Sequence, residues 1–231
     1  MSEVEATVAV AVAAEDWGHF RSATRLADRV IAEKIEWARD LLEDDSTRES
    51  LRRWGIGDDE RPWVRLKDAY RMAKERGLPC FGHFDGRPGE SDAAMFRAQL
   101  LLFQAERNDG ARIDAVLMIR DVDDDPRRID GARQVLDLRW PFPVIIALPL
   151  PEIEAWLVAG YVRQSAACDE GVSDLDAKDT VDRLTDKDRE REALCLEADL
   201  DVLRRRGAGC GLAAYLADVE AHLVPLFIGP T

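Results

Sequence analysis

The stretch DAVLMIRD, residues 114–121, holds five consecutive apolar residues and closes on Arg120 and Asp121. It is apolar at every position rather than every second one, and too short for an ordinary helix. That pattern marks a strand buried on both faces, as in a parallel sheet covered by helices. TVAVAVAA at 7–14 and PVIIALPL at 143–150 share it. Helical periodicity fills the intervals. Ala23, Leu26, Ala27 and Val30 fall on one face after the first strand, and a second helical pattern covers about 63–76, ended by Gly77 and Pro79. Ser91 stands as the cap of a helix with Ala94, Ala98, Leu101, Leu102 and Ala105 on one face. Residues 127–137 read as another helix. Pro151 suits the first position of the next one, which carries Ile153, Trp156, Leu157 and Gly160. Strands alternating with helices predict an α/β fold, a mainly parallel sheet with helices on both faces.

The remaining segments are less regular. Residues 42–62 are charged, include Gly55 and Gly57, and read as a loop or short helices. CFGHF at 80–84 reads as a short strand before the loop DGRPGES. Beyond about 166 the chain becomes strongly charged and helical in pattern, breaks at GAGCG (207–211), and ends in a helix bearing Leu212, Tyr215, Leu216, Val219 and Leu223. The expected division is an α/β domain over 1–165 and a helical C-terminal extension over 166–231.

Composition narrows the function classes. Among 231 residues, 46% are apolar, enough for a real core, and no apolar run approaches the roughly 20 residues of a membrane-spanning helix. Glu3 and Glu5 occupy the place where a secretory leader would be basic. Cys80, Cys168, Cys195 and Cys210 form no metal-binding pair and read as free thiols in a reducing cytoplasm. The net charge of −14 argues against unaided gripping of nucleic acid over a broad surface. Arg120, Arg127, Arg128, Arg133 and Arg139 cluster in one segment, where they form a local basic patch or balance the neighbouring aspartates.

In open parallel sheets, ligands bind outside the carboxyl ends of the strands. Acids stand at three such ends: Glu15 after the first strand, Asp121 and Asp123 after DAVLMIRD, and Glu152 and Glu154 after PVIIALPL. In extended chain the side chains at i and i+2 point the same way, so an Asp-x-Asp step can present two carboxylates to one hard cation. Each acid also has an ordinary explanation, as a first-turn helix residue or a solvated turn. The expected metal set is Glu15, Asp121, Asp123 and Glu152, with Mg²⁺ or Mn²⁺ as the ion. His19, four residues after Glu15, is placed to assist a proton transfer or is simply a helix-start residue. His83 also lies near a strand end, and Lys187 in DKDRER is either a phosphate contact or part of a solvated helix face, the reading to prefer.

An acid after the first strand, an Asp-x-Asp after a later strand and a trailing glutamate resemble the Toprim fold of topoisomerases, primases and overcoming-lysogenization-defect nucleases. RDVDDDPRR and PLPEIEAWL are more closely similar to Toprim-like families encoded beside ATPases in bacterial defence loci. The resemblance covers about 7–163. It departs from the family pattern in having no glycine beside Glu15 and in its long 38–90 segment. It implies metal-dependent phosphoryl transfer with Glu15, Asp121, Asp123 and Glu154 as the catalytic set, above all hydrolysis of nucleic-acid phosphodiesters, by a cytoplasmic nuclease in phage defence. The implied partners are nucleic acid, DNA ahead of RNA, and an ATPase protein; a homo-oligomer is compatible with it, and no membrane partner is indicated. The competing readings are a non-catalytic partner subunit that keeps the fold and, among enzymes, an Asp-x-Asp phosphatase with a nucleophilic aspartate. The phosphatase needs a Ser or Thr and a Lys that PVIIALPL and its sequel do not offer. A nucleotidyl- or glycosyltransferase lacks the Gly-rich loop it would need.

Overall fold

The structure is a computed structural model that describes residues 8–43, 45–56, 62–80, 83–84, 87–88, 90, 92–160, 177–184 and 193–228. Strands β1 (Val8–Ala14), β2 (Arg52–Trp54), β3 (Val64–Arg65), β6 (Ala115–Ile119) and β7 (Val144–Ala147) form one sheet. All its pairings are parallel, in the order β2-β1-β6-β7. β3 joins β1 beyond β2 and on the same edge, with Ala14 opposite Arg65. The three strands read from their apolar runs are therefore neighbours, and the expected α/β class holds.

Alternation along the strands sends side chains to two cores. Val10, Val12, Ala14, Leu117, Ile119 and Ile145 face one side, covered by α1 (Trp17–Lys34), α7 (Ile153–Gly160) and α11 (Leu212–His222). Ala11, Ala13, Val116, Met118 and Ile146 face the other, covered by α5 (Ala93–Asn108) and α6 (Arg127–Leu136). The C-terminal helices α10 (Leu200–Arg206), α11 and α12 (Val224–Ile228) thus share the first core with the sheet. Tyr215 fixes them there: its hydroxyl donates to the Ala23 carbonyl at 2.7 Å, and its ring stacks on Trp156 at 5.0 Å. Among the described residues no single helix is long and apolar enough to cross a membrane.

Between β1 and β2 lie α1, α2 (Glu36–Glu43) and α3 (Asp45–Leu51), so the charged 42–62 segment contributes both a helix and a strand. Arg52 is buried in β2 because Asp28 of α1 holds its guanidinium at 2.7 and 2.5 Å. Trp54 Nε1 donates to the same carboxylate at 3.1 Å. After β2 the chain leaves the sheet at Gly55, whose N–H donates to Val10 O at 2.7 Å, and re-enters at β3. Gly55 has φ +90°, and a Cβ there would lie 1.7 Å from the Pro62 oxygen, so only glycine fits.

Other local differences have local causes. The helical pattern at 63–76 opens as β3 and a 3₁₀ turn, with α4 confined to Ala69–Glu75. In CFGHF, β4 (His83–Phe84) pairs antiparallel with β5 (Arg87–Pro88), apart from the main sheet. Ser91 lies outside the described residues; α5 follows Asp92, which has φ +65°. Pro151 precedes α7 and joins Leu150 through a cis peptide. Val122 and Asp123 donate their N–H groups to Pro149 and Pro151 at 2.9 and 2.8 Å, so 149–151 runs beside 122–123 before the helix begins at Ile153.

This winding decides where a ligand site belongs. The chain leaves β1 toward α1 on one face and leaves β6 toward α6 on the other. The carboxyl ends of β1 and β6 are thus a topological switch point, with a crevice between diverging connections.

Candidate metal centre

At that crevice, Glu15 follows β1 and Asp121 lies two residues beyond β6. His19 completes the group from the first turn of α1, with one ligand atom from each residue within 4.8 Å of the others. The helix start explains why His19 points inward. Asp16 is the N-cap of α1 and accepts the His19 backbone N–H at 3.1 Å. The same Oδ1 lies 2.8 Å from His19 Nδ1, so one carboxylate anchors both the helix end and the ring.

His19 is 4% exposed and Asp121 9%. Their Nε2 and Oδ1 approach to 2.9 Å but off the direction of a hydrogen bond, so among the described residues each lacks a hydrogen-bond partner. In the metal-free protein the two atoms form an ion pair when His19 is protonated, and with the ring neutral their misaligned lone pairs suit a third atom beside them. A divalent cation fits that description. The donor set is one imidazole nitrogen and two carboxylates, and Asp16 on the far ring nitrogen is the support that a ligating histidine commonly has.

The electrostatics are those of a crowded acidic site. Burial raises the Glu15 pKa, with Asp121 and Asp123 adding to the rise and Arg120 opposing it. Burial works against a charged His19, yet the contacts with Asp121 and Asp16 outweigh it and raise its pKa to about 10. The contact with His19 in turn lowers Asp16 to about 2. Glu152 is raised by burial and then by the charges of Glu154, Asp121 and Asp123, which places it within electrostatic reach of the centre.

Of the residues expected from sequence, Glu15 and Asp121 meet in the group; Asp123 and Glu152 are not among its ligand atoms. Asp123 has φ +50°, so the extended-chain alternation that would align it with Asp121 does not apply. Its carboxylate pairs instead with Arg128. Glu154 lies in the first turn of α7. His83 belongs to the separate hairpin, and Lys187 lies outside the described residues.

Four of the five clustered arginines, Arg120, Arg127, Arg128 and Arg133, are paired with acids. Arg120 donates to Glu15 at 2.7 Å and to Asp92 at 2.9 Å. Arg128 reaches Asp92 at 3.2 Å and the Asp121 carbonyl at 2.8 Å, besides Asp123. Arg127 pairs with Asp125 and Arg133 with Asp130. Asp92 thus ties two arginines beside the centre, a role that only contact across 28 residues reveals. Comparison of the chain with protein-family models, curated proteins and solved structures finds no match.

Proposed function

We propose that this protein is a metal-dependent phosphodiesterase acting on nucleic acid, a Toprim-like nuclease working with a partner ATPase in phage defence. The observation that carries the reading is the convergence of half-buried Glu15 with buried His19 and Asp121 at the switch point, where Nε2 and Oδ1, among the described residues, have no hydrogen-bond partner. A bound divalent cation supplies Lewis acidity toward a phosphate oxygen and an attacking water. The side chains then have definable tasks. Glu15 and Asp121 contribute anionic oxygens, and Arg120 holds Glu15 in place. Asp16 accepts from Nδ1 and so directs the Nε2 lone pair inward. Glu152 is close enough to respond to the same charge. A nitrogen donor beside carboxylates favours Mn²⁺ over Mg²⁺ in the expected pair of ions.

The pairing of Arg120, Arg127, Arg128 and Arg133 with acids supports a second reading, a partner subunit that keeps the fold without cleaving. One assay separates them: cleavage of plasmid, single-stranded DNA and RNA in Mg²⁺ or Mn²⁺, with and without the ATPase. Metal-dependent cleavage that disappears in Asp121→Asn supports the nuclease. Identical behaviour of wild type and Asp121→Asn in every combination removes it and leaves the partner subunit.

A further inference from the structure

The wall of the crevice on the β3 side differs from the arginine-acid wall on the α6 side. Trp17, two residues after Glu15, is 46% exposed. It is held from behind by two edge-on contacts, with Phe20 at 5.5 Å and with Trp63 at 6.0 Å. Phe20 and Trp63 are buried and stack on each other at 6.5 Å. The result is an aromatic ring fixed at its edge and open to solvent at the carboxyl end of the sheet. Arg65 stands on the same side. Trp63 belongs to the core under α1 and Val64 packs against the opposite core, so alternation returns Arg65 to the α1 face, opposite Ala14 and next to the residue that leads into Glu15. Among the described residues its Nε is buried without a hydrogen-bond partner and it forms no ion pair, unlike Arg120 and Arg128.

We propose that Trp17 and Arg65 form the substrate wall of this centre and select single-stranded nucleic acid, with an unpaired base stacked on Trp17 and its phosphate held by Arg65. The proposal rests on the nuclease reading above and names its substrate class. A paired base keeps its faces covered by its neighbours in the duplex, whereas an unpaired base offers one to an aromatic platform, whatever its identity. An arginine with no acidic partner among the described residues also answers how a chain of net charge −14 holds a polyanion: through one local contact beside the metal rather than a basic surface.

The test titrates the full chain, in Mn²⁺, with fluorescein-labelled phosphorothioate strands that resist cleavage. The probes are a single-stranded deoxy oligomer, its ribo counterpart, an abasic deoxy strand and the deoxy duplex. Single strands should bind more tightly than the duplex. Trp17→Ala should weaken single-strand binding roughly tenfold, while Trp17→Phe retains part of it. The abasic strand should not respond to Trp17→Ala but should respond to Arg65→Gln, which lowers the salt slope by about 0.7. Because Trp17 packs on Phe20 and Trp63, Trp17→Leu serves as a second variant that fills the space without a π face; it should show the same loss at unchanged Tm. Tight binding of either sugar with loss on Trp17→Ala supports the proposal, and the tighter of the two names the substrate. Equal binding of duplex and single strand, or unchanged binding in Trp17→Ala and Trp17→Leu, overturns it. Mn²⁺ binding by calorimetry, run in parallel on wild type and Asp121→Asn, keeps a failed metal centre distinct from a failed substrate wall.

Discussion

His19 has an acid near each ring nitrogen, Asp16 at Nδ1 and Asp121 at Nε2, and in the metal-free protein this pairing should be visible in stability. Its folded pKa of about 10 lies above the ordinary 6.5, so its contribution is complete below pH 6.5 and is lost as pH rises through 10. Asp16 runs the other way: lowered from 3.8 to about 2, it contributes above pH 3.8 and loses the contribution as pH falls through 2. In EDTA, the Tm difference between wild type and His19→Asn should be largest below pH 6.5 and shrink toward pH 10; parallel curves would contradict the pairing. With metal, the individual acids separate. Asp121→Asn should abolish both Mn²⁺ binding and cleavage. Asp125→Ala should leave both intact, because Asp125 engages Arg127 in the turn before α6 and is not a ligand of the group. If the two variants lose Mn²⁺ affinity equally, the centre is misassigned.

At the scale of elements, the sequence is legible where burial needs no long-range partner. β1, β6 and β7 announce themselves because Val, Ile, Leu and Ala fill both faces, and the acids at their ends follow from that reading. β2 hides because Arg52 looks solvent-exposed until Asp28, 24 residues earlier, neutralises it. β3 is two residues long and carries no pattern of its own. Asp123 was legible as an acid but not in its direction, since the alternation rule assumes an extended backbone and this residue is left-handed. His19 was legible as a neighbour of Glu15, but its ligand geometry depends on the Asp16 cap turning the first helical turn inward. The Asp28–Arg52 pair locks α1 to β2, and its loss is measurable. Asp28→Ala leaves a buried guanidinium uncompensated and should cost about 3–5 kcal/mol in urea unfolding, whereas Asp28→Leu with Arg52→Met should cost much less. Equal losses in the two would mean that packing, not charge, dominates there.

For the molecule as a whole, the C-terminal helices are a layer of the core rather than an addition to it. Deleting 198–231 uncovers the face of the sheet that Leu203, Leu212, Leu216 and Val219 bury, and the shortened chain should fail to fold, as judged by solubility and near-UV circular dichroism. A shortened chain with native Tm would refute that layering. The metal acts on the same global equilibrium. With free Mn²⁺ about a hundredfold above Kd, Tm should rise by roughly 5–10 °C. No rise in wild type, or the same rise in Asp121→Asn, would count against the centre. The departure and return of the chain at Gly55 and Pro62 carry one more consequence. A methyl group on Gly55 would press into the Pro62 carbonyl, and the strain would pass along the chain to β3, which begins at Val64 just after Pro62. Trp63 and Arg65 travel with that strand, so Gly55 acts as a rivet for the rim that meets a substrate, while the ion-binding residues, mounted on β1, β6 and α1, stay as they are.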